Sequence, residues 1–298
     1  MTPQDARAHI LDLGNDVVRV LAPNPSPMTL TGTNSYLIGR EELVIVDPGP
    51  DSDDHLAVLV EQVRRRPVKS IVVTHSHLDH SPLASRLSDA VDAPVVAFGD
   101  SLAGRSAVMA DLADAGLTGG GEGVHADFAP DHIITDGGTI DFEDRTLTAI
   151  HTPGHFGNHI CLQVGADLLT GDHVMGWASS LVSPPDGDLT DFMGSCRKLL
   201  KIDVARFLPG HGAPVENPQS RLQWLITHRQ TREAQILDAL ATGSGTVESL
   251  TEAIYHDIEA ELWPAAARNV FAHLIDLTGR NKVSPKGKLG LGATFETP

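Results

Sequence analysis

Cysteine is nearly missing from this chain: 298 residues hold two, Cys161 and Cys196. So few exclude a disulfide-scaffolded fold, and their settings, one strand-like and one in a helical stretch, predict buried thiols and a reducing compartment. No apolar run approaches the length of a membrane span, and the polar, acidic first 16 residues lack the basic start and apolar core of a secretory leader. The expectation is a cytoplasmic protein with no membrane role. Positive charge is also scarce, since 22 Lys and Arg face 39 Asp and Glu, for a formal charge of -17. Such a surface repels polyanions at long range. Two basic clusters run against that trend, residues 64–69 and the tail residues Arg280, Lys282, Lys286 and Lys288, and each reads as a solvated helix end or loop.

What the chain does have is apolar residues, 41% of the total, enough for one large domain and an appendage, and fifteen histidines. Three of these sit in His75-Ser76-His77-Leu78-Asp79-His80, directly after the apolar stretch Ser70-Ile71-Val72-Val73-Thr74. In an extended backbone, residues two apart point the same way, so His75 and His77 can reach one ion while Asp79 and His80, past the bend, face another. Imidazole and carboxylate donors suit zinc and, less exclusively, iron or manganese. Further polar residues follow strand-like stretches at tight turns, in Thr152-Pro153-Gly154-His155, Thr170-Gly171-Asp172-His173 and Pro209-Gly210-His211-Gly212. Gly and Pro let the chain turn sharply there and deliver a side chain to a strand end, where ligand sites of layered α/β proteins gather.

With these segments and Val44-Ile45-Val46-Asp47-Pro48-Gly49 in order, the chain resembles the metallo-beta-lactamase superfamily. Gly32-Thr33-Asn34-Ser35-Tyr36-Leu37, Ser183-Pro184-Pro185-Asp186-Gly187-Asp188 and His228-Arg229-Gln230 extend the resemblance, over most of the chain, to the branch of beta-lactamase-like protein 2. It departs from that branch at Ser81-Pro82 and at Phe156-Gly157-Asn158-His159, without loss of a ligand. The resemblance implies an αββα sandwich with a C-terminal winged-helix-like module. It implies two metal ions, the first held by His75, His77 and His155, the second by Asp79, His80 and His211, with Asp172 bridging both and Asp47 orienting the histidine loop. Two zinc ions are expected, with iron or manganese as alternatives.

Two zinc ions sharing a water would generate a bridging hydroxide, with Asp79 also able to accept a proton. His159 and His173 flank expected ligands, so each is a candidate to orient a ligand or meet a substrate oxyanion. The function expected first is hydrolysis of a small ester, thioester or lactone. The branch resemblance implies an alternative, endonucleolytic cleavage of single-stranded RNA. An iron thiol-dioxygenase and a nucleic-acid-binding module rank below both, and an oligomer is compatible with the composition. Asn34 and Tyr36 are expected near the site by the resemblance, and Trp177 and Phe192 are candidate pocket walls.

Short branched runs predict strands at 17–21, 36–39, 43–47, 70–74, 94–98, 133–134, 147–151, 160–164, 168–169 and 206–208. Helical spacing marks 53–66 and 81–90. Residues 99–131 read as a long loose loop with a short helix at 106–115 and a disordered glycine run at 119–123. From 217 the pattern changes to helices at 220–240, 246–255 and 260–277, then a hairpin-like tail. The division expected is a catalytic domain over 1–216 and a helical winged-helix-like module over 217–298. Of the remaining histidines, His9, His125, His228, His256 and His273 read as surface or helix-face residues, and His151 as satisfied by backbone at a strand end.

Overall fold

A computed structural model describes residues 9–121, 123–256 and 258–298. Two sheets pack face to face. The first has seven strands in sequence order: β1 (Ile10–Asp12), β2 (Val17–Leu21), β3 (Asn34–Ile38), β4 (Leu43–Val46), β5 (Val68–Val72), β6 (Val95–Ala97) and β7 (His132–Ile133). It is antiparallel from β1 to β4 and parallel from β4 to β7. The second contains β8 (Thr139–Phe142), β9 (Arg145–His151), β10 (Ile160–Val164), β11 (Asp167–Gly171) and β12 (Arg206–Pro209), in the order β12-β11-β10-β9-β8. Only its β11–β12 pair is parallel. Alternate residues of the two inner faces, among them Val44, Val46, Val72, Leu147, Ala149, Leu162, Leu169 and Leu208, form the central core. Strict alternation selects them, since period-two side chains reach one face of a sheet.

Helices close both outer faces, which completes the αββα order. On the first sheet lie α1 (Asp53–Val63) and α2 (Ala84–Val91). Ser52 caps α1 by accepting from the His55 amide, and Asp53 and Asp54 place negative charge in its first turn, where the helix dipole favours it. On the second sheet lie α4 (Leu189–Leu199) and the first half of α5 (Pro218–Ala241), through Leu222, Leu225 and Ile226. The expected helix at 106–115 is α3 (Ala107–Asp114), capped by Ser106.

The C-terminal region adds α6 (Val247–Ile254), a 3-10 turn (Ala260–Leu262) and α7 (Trp263–Gly279), with a small sheet of β13 (Gly245–Thr246), β14 (Ser284–Lys286) and β15 (Thr294–Glu296). Thr246 and Ser249 make a reciprocal capping box at the start of α6. Ile236, Leu240, Leu250, Phe271, Leu274 and Phe295 form this region's own core, to which Met109 and Leu112 of α3 also belong.

Two expectations are corrected here. His273 is buried, not on a surface, and both its ring nitrogens lack partners. The glycine run is held, not loose, at its described residues: the Arg268 guanidinium on α7 donates to the carbonyls of Thr118 (2.6 Å), Pro184 (2.9 Å) and Gly119 (3.4 Å), and Leu78 N donates to Gly123 O at 3.1 Å. Glu122, within that run, lies outside the described residues. No helix among the described residues is long and apolar enough to cross a membrane.

Candidate metal centre

Five strands deliver their last residues to one edge of the sandwich. Asp47 follows β4, Thr74 and His75 follow β5, His155 follows β9, Asp172 follows β11 and His211 follows β12. The two sheets are tied together there by backbone. Ile160 N donates to Thr74 O at 2.9 Å and Asn34 N to Gly210 O at 2.7 Å. Asn34 and Tyr36 also fix the turn that carries His211: the Asn34 amide donates to the carbonyls of Pro209 and Gly212, both at 2.9 Å, and the Tyr36 hydroxyl donates to Pro209 O at 2.6 Å. Burial pushes the Tyr36 hydroxyl well above its ordinary pKa, so it stays a donor.

All seven expected ligands converge, in two groups. His75, His77 and His155 form one, Asp79, His80, Asp172 and His211 the other, and within each group the candidate ligand atoms lie within 4.8 Å of one another. Asp172 faces both, with its carboxylate 3.2 Å from His211 Nε2 and 3.8 Å from His155 Nε2. All seven are buried.

The outer hydrogen bonds decide which ring nitrogens face inward. His155 Nδ1 lies 2.7 Å from Leu181 O and His211 Nδ1 3.1 Å from Gly32 O, and a carbonyl can only accept, so both rings carry the proton on Nδ1. Asp47 sets two more. It accepts from Thr74 N at 2.7 Å and from the Thr74 hydroxyl at 2.8 Å, and it takes His80 Nδ1 at 2.9 Å. Because the Thr74 hydroxyl has given its proton to Asp47, it accepts from His75 Nδ1 at 3.0 Å. Four imidazoles thereby aim Nε2 inward. His80 Nε2 and His211 Nε2 stand 3.3 Å apart, and His75 Nε2 and His155 Nε2 each about as close to His77 Nδ1, at 3.0 and 3.1 Å.

In the three-histidine group, facing lone pairs repel unless a cation stands between them, and in the other group buried carboxylates need compensating charge. Both oxygens of Asp79 and Oδ1 of Asp172 are buried without a hydrogen-bond partner, although His211 Nε2 lies 3.0 Å from Asp79 Oδ2. Burial opposes charge at His80 and His211, yet the surrounding carboxylates outweigh it: Asp79, then Asp172 and Asp47 hold His80 well above the usual range, and Asp172 raises His211 to about 10. Burial instead drives His75 well down and His77 to about 3, so the three-histidine group is neutral. A buried, donor-lined pair of sites of this composition fits divalent metal ions.

Glycine is required at one contact in particular. A Cβ on Gly210 would overlap Asp172 Oδ1 and lie 2.7 Å from His80 Cε1, so only glycine lets the β12 turn approach the carboxylate.

His159 and His173 are brought to the centre from beneath. Both are fully buried, with His159 packed on His75 (ring centroids 5.2 Å) and His173 on Phe192 (4.5 Å) and 3.5 Å from the Cys196 thiol. Burial lowers the pKa of both, His173 to about 3. Ring packing sets His159 against the ligand candidate His75, whereas His173 packs on His159, Phe192 and Cys196. Phe192 likewise belongs to the core, whereas Trp177 is 39% exposed and borders a cavity. His151 meets Gly157 O at 3.0 Å, as expected for a backbone-satisfied strand end. Both cysteines are free and buried, with burial pushing each thiol up to about 12. The departures from the branch pattern have structural work: Ser81 Oγ donates to His77 O at 3.0 Å, and the Asn158 side chain staples Ser76 to the 99–100 turn.

Sequence reasoning missed the Thr74 relay, Leu181, whose carbonyl fixes His155, and Arg268. A threonine ending the strand before the histidine loop was a signal available for the first; nothing local marks the other two.

This arrangement defines the class. Residues 28–211 match the family model described as the metallo-beta-lactamase superfamily, and the chain belongs to that superfamily of metal-dependent hydrolases. Residues 246–290 match the model of the beta-lactamase associated winged helix domain. Among curated relatives, a beta-lactamase-like protein 2 homolog of Drosophila melanogaster is 30% identical over 93% of this chain and 90% of its own. An atrochrysone carboxyl ACP thioesterase of Aspergillus fumigatus is 31% identical over 83% of this chain and 75% of its own. A solved beta-lactamase domain protein from Burkholderia ambifaria shares the fold at TM-score 0.78, with 22% identity, 97% of this chain and 93% of that one covered.

Proposed function

We propose that this protein is a binuclear zinc hydrolase of small acyl substrates, thioesters foremost, with esters and lactones in the same class. The carrying observation is the pair of buried ligand groups joined by Asp172. In this reading His75, His77 and His155 hold one ion, Asp79, His80 and His211 the other, and Asp172 faces both. Two such ions would supply a water of lowered pKa and polarise the acyl oxygen. The chain's own part is to hold that geometry. Asp47 orients His75 through Thr74 and His80 directly, Leu181 and Gly32 orient His155 and His211, and His159 supports His75 from below. Asp79, beside His80 and His211, is the carboxylate we assign to take a proton as the nucleophile attacks. The two cysteines lie in the core and serve no nucleophilic role.

Support for an acyl substrate comes from the thioesterase name carried by the Aspergillus relative and from the -17 formal charge, which disfavours phosphate neutralisation. The basic tail weighs less than its sequence suggests, because Arg280 pairs with Glu233 (2.7 Å) and Asp276, and Lys286 with Glu296 (2.8 Å). We read residues 1–216 as the catalytic unit and 217–298 as the module packed on it.

Metal analysis of purified protein with turnover of thioester, lactone and single-stranded RNA panels is the direct test, with Asp172→Ala as control. About two zinc per chain, and thioester or lactone turnover lost in the variant, are expected. RNA cleavage lost in the variant, with no acyl turnover, would replace this reading by a ribonuclease. Iron with oxygen consumption would replace it by a dioxygenase.

A further inference from the structure

Between the loop after Asp172 and the C-terminal helices lies a cavity of about 510 Å³, walled by Met28, Met175, Trp177, Tyr255, Leu262 and Ala266 among others. None of the seven ligands lines it, but two of its wall residues adjoin one ligand of each group. Trp177 packs against Gly212, where a Cβ would stand 2.8 Å from the indole, and Gly212 adjoins His211. Leu181, on the same lining, gives its carbonyl to His155.

We infer that this cavity receives the acyl group, and that the preferred substrates carry a bulky apolar acyl chain or fused ring of about eight carbons or more. The inference rests on the acyl-hydrolase reading for its chemistry. A volume of this size lies within the range of pockets that enclose drug-sized ligands, whereas an acetyl group would leave most of it to water. Two aromatic walls and two methionines offer adaptable, polarizable contact. Trp177 and Leu262 stay 39% exposed at its border, as apolar surface that a ligand would cover. The polar lining residues are already engaged in part: Asn269 accepts from Val182 N and from Arg229, and the Arg232 guanidinium sits 4.4 Å from the Tyr255 ring. Because Tyr255, Leu262, Ala265 and Ala266 come from the C-terminal region, that region sets acyl selectivity.

The test uses the full chain loaded with zinc, and acetyl, octanoyl and 2-naphthoyl thioesters of N-acetylcysteamine. At about 0.8 kcal/mol per buried methylene, kcat/KM should favour octanoyl over acetyl by at least about 100-fold. Ala265→Trp, which fills the cavity from α7, should reduce that preference at least tenfold, and Leu262→Asn should reduce it too. Calorimetry on protein stripped of metal provides a readout apart from turnover: octanoate and 2-naphthoate should bind more tightly than acetate, and Ala265→Trp should abolish the difference. Equal turnover of the three thioesters, or equal binding of the three acids, would overturn the inference while leaving the hydrolase reading intact. Selective acid binding with no acyl turnover would leave the cavity assignment standing and remove the hydrolase reading.

Discussion

At the scale of single residues, the centre is organised by a side chain that is not itself a candidate ligand. Asp47 receives three hydrogen bonds and thereby fixes the tautomers of His75 and His80. Its replacement by Ala removes the acceptor of His80 and frees the Thr74 hydroxyl that orients His75, so zinc affinity should fall by about 10–100-fold, a loss typical of partners that orient metal ligands. Competition with a chromophoric chelator measures it, and unchanged affinity would refute the relay. The charge balance predicts a pH effect of definite sign. His211 is raised to about 10 and His80 well above its ordinary value, so on metal-stripped protein both carry protons near neutrality. An ion entering that group must displace them, so its affinity rises with pH, with about two protons released per ion, while entry into the neutral three-histidine group releases none. For the stripped protein, a raised histidine stabilises below its unfolded value of 6.5, and that contribution is lost as pH climbs through about 10. Calorimetry in buffers of different ionisation enthalpy counts the protons; equal release from both groups would contradict the assignment.

At the scale of elements, the turns after β9, β11 and β12 were legible because each motif couples a strand-like run to a Gly- or Pro-bearing turn with a histidine or aspartate, and the loop after β5 because three histidines and an aspartate fall within six residues. The strands of the main sheets were legible for the same reason, as alternation reports which face is buried. Residues 119–123 were not: glycines carry no side chain from which a partner can be inferred, and Arg268 reaches them from about 150 positions away. His159 and His173 fared similarly, since a histidine beside a ligand in sequence can lie beside it or beneath it in space. The turn after β12 offers a sharp test. Gly210→Ala places a methyl group against Asp172 and His80, and the turn cannot withdraw because Asn34 and Tyr36 hold Pro209 and Gly212. The expected result is loss of the ion at Asp79, His80 and His211 with the three-histidine ion retained, at about 1–3 kcal/mol lower stability. Full occupancy of both positions, by anomalous scattering, would show that the close approach is dispensable.

At the scale of the whole molecule, α5 belongs to both halves. Leu222, Leu225 and Ile226 seal the outer face of the second sheet, while Ile236 and Leu240, further along the same helix, enter the C-terminal core. Arg229, buried midway, donates to Asn269 on α7 at 2.8 Å and to Ser180 O in the loop after Asp172. The change of pattern at residue 217 therefore marks where strands give way to helices, and the energetic boundary falls inside α5. A chain ending at residue 216 would remove Leu222, Leu225 and Ile226 from the core cluster that also holds Leu168, Val182, Phe192 and Phe207. Burying a side chain of that kind contributes about 1.5–3 kcal/mol, so several lost together exceed the net stability of an ordinary domain. Residues 1–216 alone should be insoluble or unfolded, whereas a chain ending at residue 243, which retains the whole of α5, should recover part of the fold while exposing Ile236 and Leu240. Far-ultraviolet circular dichroism and thermal unfolding decide between them. A cooperative, zinc-binding 1–216 fragment would show that the sandwich closes without its helix and that the C-terminal region contributes only to the cavity.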